Sequence, residues 1–410
     1  MRCVSSKIAY SIAGLMLLVF TACEASRDPA QERIQLAEAG TGEIVIGAPW
    51  PWEARGGSSL YGEGMDLAVE KINADGGVLG RSLRIERIDD KESVNEGRLV
   101  AQLLANDPEV VAVIGHLQSY VTIPAATIYD GNGLVMIAPL SSSPKLTQQG
   151  YKRVFRTTFN DKQVGRQMAV FAHRRGYERV ALLYVRNTYG RDLANAFEER
   201  AYELGLNVVE RQSYTAAADR MKTSFDTVLR SWRDMEFDAI FLASAVPEAG
   251  VFITQARATG IDVPILGGDA MDNASLIEVG GEAAEGTIVA SNFHVDDPRP
   301  VVQEFVQLFN EKTGQLPNRD AAAGYDAVRL LAHAIEQAGS TVPETVTQAL
   351  RTMAPWEGAT GVMAFDEKGD LADDILIAKV VRNGKFEYFE ALARRMQTPR
   401  TEEGLAARTP

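Results

Sequence analysis

The sequence predicts an α/β protein built as two doubly wound, parallel-sheet lobes. Three observations predict it. The chain has 410 residues, more than one hydrophobic core fills. Short apolar runs alternate with helical patterns through most of its length, which calls for parallel strands joined by right-handed crossovers. The alternation then starts afresh after "FRTTFND" at 155–161. Apolar content of 46% and charged content of 24% are those of an ordinary soluble body, and a net charge of −13 argues against nucleic acid as a partner.

The N-terminal segment stands apart from this pattern. Arg2 and Lys7 precede an apolar run from Ile8 to Phe20, closed by Thr21 and Ala22 directly before Cys23. A basic start, a short apolar stretch and small residues at the cut make a secretory signal over 1–22, too short for a membrane span. "FTAC" resembles a bacterial lipobox, with Phe20 where an aliphatic residue is usual. Cys3 leaves with the signal, so Cys23 has no partner for an internal disulfide and is better explained by acylation. Ordinary cleavage, or an uncut anchor, is the alternative. Residues 23–42 are polar and without periodicity, a tether of roughly 25 Å reach if flexible. The segment 393–410 has the composition of a disordered tail.

Between these ends the elements follow in order. "EIVIGA" is a strand, and Met65, Ala68, Val69 and Ile72 then mark a helix that "ADGG" stops. Strand "LRIERID", a helix holding Leu99 and Leu103, strand "VVAVIG", a helix after Ser119 and strand "LVMIAP" complete a first unit. In the second unit a helix with Val164, Met168, Phe171 and Ala172 leads to strand "RVALLYV" and a helix with Leu193, Phe197, Ala201 and Leu204. Strand "LNVVER", a helix with Phe225, Val228, Leu229 and Trp232, and strands "DAIFLAS", "PILGG" and "GTIVASNF" follow. Two further helices carry Val302, Phe305, Val306 and Phe309, then Tyr325, Val328, Ala332 and Ile335. Residues 361–390 read as strands around the turns "DEKGD" and "RNGK".

In open α/β sheets ligands sit beyond the carboxyl ends of strands, where helix N-termini point. Four stretches qualify. In "GHLQS", Ser119 at a helix start suits a carboxylate or phosphate. Ser119 is alternatively a plain helix cap, or a nucleophile with His116 three residues away as its base, although no G-x-S-x-G elbow surrounds it. In "MIAPLSSSPKL", Ser141, Ser142 and Ser143 either donate to the same anion or form a Ser-rich turn, with Pro144 as a first helical residue. In "ILGGDAMD", Asp269 either holds an ammonium arriving from the other lobe or closes a turn. Trp50 and Trp52 in "APWPWEARGG" either wall the cleft, packing a side chain or a cation, or anchor a loop to its own lobe. The four histidines are scattered, and no zinc, EF-hand, C-x-x-C or P-loop pattern occurs. The reading is therefore a binding protein, without enzyme activity, metal or cofactor.

The motifs "GEGMDLAVEKINADGGVLG", "VIGHLQS", "IYDGNGLVMIAPLSSSPKLT", "VFRTTFNDKQVG", "YGRDLANAFEE" and "FDEKGDL", in this order and at similar spacings, resemble the leucine/isoleucine/valine-binding proteins. These are type I periplasmic binding proteins that feed ABC importers, and the resemblance runs from about Glu43 to about Tyr388. It implies a three-strand hinge near 159–161, 291–293 and 358–362. One lobe would then comprise 43–160 and 292–360, the other 161–291 and 361–392. By position, Ser119 resembles the family's carboxylate-binding serine, and Ser142 a threonine that touches carboxylate and ammonium. Leu140 offers a carbonyl to the ammonium, and Asp269 stands at an ammonium-binding glutamate, one methylene shorter. Tyr61 and Tyr189 match pocket-lining aromatic positions. Ala245 replaces a second-lobe tyrosine, which together with the tryptophan pair implies a reshaped pocket. The resemblance implies an extracytoplasmic lipoprotein that binds an amino acid or a related molecule between closing lobes. Its partners would be an ABC permease with its ATPase, and the membrane through Cys23. A module reporting to a signalling receptor is the alternative.

Overall fold

The computed structural model describes residues 28–372 and 376–392. It opens with helix α1 (Pro29–Ala39), strand β1 (Ile44–Trp50), helices α2 (Trp52–Ser59) and α3 (Tyr61–Ala74), and β2 (Leu83–Asp89). Next come α4 (Val94–Asn106), β3 (Val110–Ile114), α5 (Ser119–Gly131), β4 (Val135–Ala138) and β5 (Val154–Arg156). These five strands form one sheet in the order β2-β1-β3-β4-β5, parallel throughout.

The second unit runs α6 (Asp161–Arg174), β6 (Arg179–Val185), α7 (Thr188–Leu204), β7 (Asn207–Tyr214), α8 (Asp226–Trp232) and β8 (Ala239–Ala243). It continues with α9 (Glu248–Ala258), β9 (Ile265–Gly267), α10 (Ala274–Gly280) and β10 (Ile288–Ser291). Helices α11 (Pro300–Thr313), α12 (Arg319–Ala338) and α13 (Pro343–Thr352) and the ribbon β11 (Trp356–Gly358) and β12 (Gly361–Met363) return to the first lobe. The hairpin β13 (Ile377–Arg382) and β14 (Lys385–Ala391) then closes the second sheet, in the order β14-β13-β10-β9-β8-β6-β7. Its last two strands pair antiparallel.

Each sheet has its own core, and the cores locate the crossovers. Phe155 packs in the first lobe and Phe159 in the second; Ala290 packs in the second and Phe293 in the first. The third crossover lies later than 358–362. Met363 and Leu371 still pack in the first core, and Leu376 is the next residue in the second. The reason is local. Asp326 of α12, fully buried, accepts from the backbone of Ala359 and Thr360 and from the Thr360 hydroxyl, which pins that turn to the first lobe.

Most predicted elements stand where the sequence places them, with instructive departures. In α4 the buried stripe is Gly97, Val100, Ala101 and Leu104, while Leu99 and Leu103 are exposed. The tether reading fails over part of its span, because residues 29–39 form α1. Asp28 caps α1 by accepting from the amide of Ala30, and Pro29 begins it. What fixes α1 is Arg33, only 1% exposed. Its guanidinium donates to the carbonyls of Val110 (2.8 Å), Asn132 (3.3 Å), Ala105 (2.8 Å) and Asp107 (3.0 Å). One side chain thus gathers the ends of α4 and α5 and the start of β3. The signal peptide, Cys23 and the 393–410 tail lie outside the described residues.

Replacing Arg33 by alanine leaves these carbonyls without a donor in a buried site. Arg33→Ala should destabilise the first lobe by about 2–4 kcal/mol in urea unfolding. A chain beginning at Glu43 should lose a comparable amount, and equal stability of the two lengths would refute the role of α1.

Candidate functional site

The carboxyl ends of both sheets face one another, and the segments leaving them enclose a cavity of about 260 Å³. Leu117 to Tyr120 follow β3, Leu140 and Ser142 follow β4, and Arg186 to Tyr189 follow β6. The second lobe adds residues after β7, β8 and β9, among them Thr215, Val246 and Asp269. The wall is completed by Arg55 and Ser59 of α2 and by Arg319 and Asp320, the first residues of α12.

Ser119 is the first residue of α5, and Gln118 occupies the cap position without a side-chain capping bond. The helix therefore meets the cavity with unsatisfied N–H groups and the positive end of its dipole. Plain capping is not the role of Ser119. Its Oγ accepts from Ser141 Oγ at 3.3 Å and from the amide of Ser143 at 3.2 Å, and Ser119, Ser141 and Ser142 are all buried. Ser142 and Leu140 line the cavity, whereas Ser141 buttresses Ser119 from behind. Pro144 begins a single 3-10 turn, capped by Ser143.

His116 is not positioned as a base for Ser119. Fully buried, it places Nδ1 2.6 Å from Asp90 Oδ2 and Nε2 3.1 Å from the Tyr129 hydroxyl. Both ring nitrogens are spent on the first lobe, so no nucleophile–base pair exists at Ser119.

Trp50, Trp52 and Tyr61 require correction as cleft residues. Trp50 and Tyr61 are fully buried and stack on each other with centroids 3.9 Å apart. Trp52 lies 6.0 Å from the Tyr61 ring, donates Nε1–H to the carbonyl of Ala48 and carries the Arg87 guanidinium on its face. None of the three lines the cavity. The reason is that residues 52–59 form a helix rather than an overhanging loop, and its aromatic root packs on β1 and α3. The same helix brings Arg55 and Ser59 to the cavity instead.

Asp269 and Tyr189 do meet across the second lobe, the tyrosine hydroxyl donating to Asp269 Oδ1 at 3.4 Å. The cation that reaches Asp269 from the other lobe is part of the protein itself. Arg319 Nη1 lies 2.7 Å from Asp269 Oδ2, and both side chains are 6% exposed. Burial works against the charge of Arg319, yet Asp269, Asp320 and Asp272 outweigh it, and its pKa is raised.

Asp161, at the start of α6, is fully buried, and neither of its carboxylate oxygens has a hydrogen-bond partner. Burial first, then the Asp269 charge, pushes its pKa well above the usual carboxylate range. The nearby Ser142 hydroxyl and Arg156 pull the other way with less effect. Neither residue stands out in the sequence. Asp161 reads as one more first-turn acid, and Arg319 as a charge at the mouth of an alanine-rich helix. The start of α12 packs tightly on α3, where a Cβ on Gly64 would come within 2.0 Å of the Ala321 carbonyl.

Comparisons with known proteins agree with this geometry. A family model described as periplasmic binding protein matches residues 43–385. The Leu/Ile/Val-binding protein of Escherichia coli is 30% identical over 309 residues, 75% of this chain and 82% of that protein. A leucine-, isoleucine-, valine-, threonine- and alanine-binding protein of Pseudomonas aeruginosa is 30% identical over 338 residues, 81% of this chain and 88% of that one. An ABC transporter substrate-binding protein from Desulfitobacterium hafniense, solved in complex with Leu, superimposes with a TM-score of 0.76 at 39% identity. That match covers 85% of this chain and 100% of the other.

A carboxylate whose folded-state pKa lies above its unfolded value favours folding when protonated. The cost of ionising Asp161 should therefore appear as pH rises through its raised pKa, and fade at lower pH. Asp161→Asn should stabilise the ligand-free protein by about 1–3 kcal/mol at pH 7, and by progressively less toward pH 4, in parallel urea titrations. Destabilisation at pH 7 would show that the carboxylate is compensated.

Proposed function

This chain belongs to the periplasmic binding protein family, and from that premise we propose that it is an extracytoplasmic receptor for an α-amino acid, serving an ABC permease and its ATPase. The observation that carries the reading is the polarity of one cavity. An uncapped helix N-terminus with the Ser119 hydroxyl comes from the first lobe, and the Asp269 carboxylate with the Tyr189 hydroxyl comes from the second. The first suits a carboxylate and the second an ammonium. Ser142 and the Leu140 carbonyl stand between them.

The ammonium meets the Asp269 carboxylate, which lines the cavity beside the Tyr189 hydroxyl. Arg319 already neutralises Asp269, so the ammonium adds to a balanced pair rather than to a bare anion. The lobes close on the ligand as rigid bodies hinged at the three crossovers. Polar pairs already join them beside the cleft, for example Ser143 Oγ to Asp192 Oδ2 at 2.6 Å and Arg55 Nη1 to the Val246 carbonyl at 2.8 Å. In a closed, water-poor cleft a few charge-assisted bonds suffice for tight binding.

Acylation of Cys23 completes the proposal. Only a few residues separate Cys23 from α1, and Arg33 docks α1 at the amino-terminal edge of the first sheet. A lipid there tethers the first lobe by the edge remote from the ligand.

Calorimetric titration of the chain with the twenty amino acids should give a saturable response to at least one. Ser119→Ala should weaken that response by about tenfold or more, the loss of one charge-assisted hydrogen bond. Failure of every α-amino acid to bind, or an unchanged Kd in Ser119→Ala, would remove the amino-acid assignment. Metabolic labelling with a radioactive fatty acid should mark the chain and not its Cys23→Ser variant, and a chain that takes up no label would exclude the lipid anchor.

A further inference from the structure

A second charged cluster borders the cavity, and a branched aliphatic side chain would leave it unused. Arg55 from the first lobe and Arg220 and Glu248 from the second line the cavity, with Glu92 of the first lobe behind them. Glu92 is fully served: it accepts from Arg55 Nε at 2.7 Å, from Gln118 Nε2 at 3.1 Å and from Arg220. Burial opposes its ionisation, but the two guanidinium groups prevail and its pKa is lowered.

Glu248 is the member left wanting. It begins α9, lines the cavity and is 2% exposed, and its Oε2 has no hydrogen-bond partner. Its Oε1 lies 3.5 Å from Arg220 Nη1, too far for a good hydrogen bond. Burial raises its pKa, with Arg220 acting in the opposite direction. The neighbourhood therefore holds a buried acceptor and a cationic donor side by side, neither completing the other.

The charges of the cluster balance, two arginines against two glutamates. A charged ligand group would leave one buried charge unmatched, and an aliphatic group would leave the Glu248 oxygen unpartnered. A neutral group that both donates and accepts satisfies the pair. We propose that this receptor selects amino acids whose side chain ends in a carboxamide, its NH2 donating to Glu248 and its carbonyl accepting from Arg220. The proposal rests on the α-amino-acid reading of the Ser119 and Asp269 groups, and it names Glu248 as the specificity-determining residue. A site built to hydrogen-bond a substrate rejects an analogue without that group far more strongly than an apolar pocket rejects a missing methylene.

The test is a comparison of Kd values for L-glutamine, L-asparagine, L-leucine, L-arginine and L-glutamate on the full chain. One of the two amides should bind at least about tenfold tighter than leucine. Glu248→Leu should erase or invert that preference, with the far-ultraviolet dichroism of the native fold retained. If Glu248→Leu does not fold, Glu248→Gln replaces it and should narrow the ratio between amide and leucine. Tighter binding of leucine, arginine or glutamate than of both amides overturns the proposal while the amino-acid reading stands. So does an amide preference that survives both substitutions. Binding of none of the twenty amino acids overturns the underlying reading and the proposal with it.

Discussion

The ion pair between Asp269 and Arg319 is the interaction on which the arrangement of this molecule depends. It joins residues from different lobes, at 2.7 Å and almost out of solvent. A buried charge without a partner is strongly unfavourable, so the presence of either side chain here obliges the other lobe to stay close. Asn273 and Asp320 meet just beside it at 3.4 Å. The cleft is thus drawn together at its base by groups of the protein, and the ligand-binding chemistry is arranged around a pair that needs no ligand to be neutral.

That constraint changes how the resemblance to the leucine/isoleucine/valine-binding proteins is best understood. The first-lobe wall of the cavity has what the resemblance implies, a serine at an uncapped helix start supported by a neighbouring serine turn. The second-lobe wall differs, because the acid that the resemblance implies would await a cation already holds one. Asp161 stands behind this pair, buried and close enough to Asp269 for that charge to raise the cost of ionising it.

Much of the fold was legible because it rests on local patterns that tertiary structure does not override. Fully apolar runs such as Val110–Ile114 and Ala239–Ala243 have no choice but the interior of a covered parallel sheet. Stripes such as Leu193, Phe197 and Ala201 fix the inward face of a long helix. That the turns at 115–119, 139–143 and 268–272 contribute to the cavity was legible for the same reason, since they follow directly from where strands end. What sequence alone did not disclose depends on contacts between distant segments. Arg33 in a polar stretch looks like any solvated arginine until the four carbonyls from three other elements surround it. Trp50 and Tyr61 have the composition of a ligand wall, and only the burial of their shared stack shows that they wall nothing.

The helix that displaced those tryptophans from the cleft also explains why the pocket is polar. Folding residues 52–59 into α2 turns the indoles back onto β1 and advances Arg55 toward the second lobe, where it reaches the Val246 carbonyl. Ala245, which stands where the resemblance implies a tyrosine, lines the same cavity. Once Arg55 is there, low local dielectric demands an anion, and Glu92 supplies it from the loop after β2. Glu92 then recruits Arg220 from across the cleft, and Arg220 faces Glu248. An aromatic surface has thereby been exchanged for a hydrogen-bonding one through a chain of compensations, each forced by the one before. The last link, Glu248, faces Arg220 with one oxygen and keeps the other without a hydrogen bond.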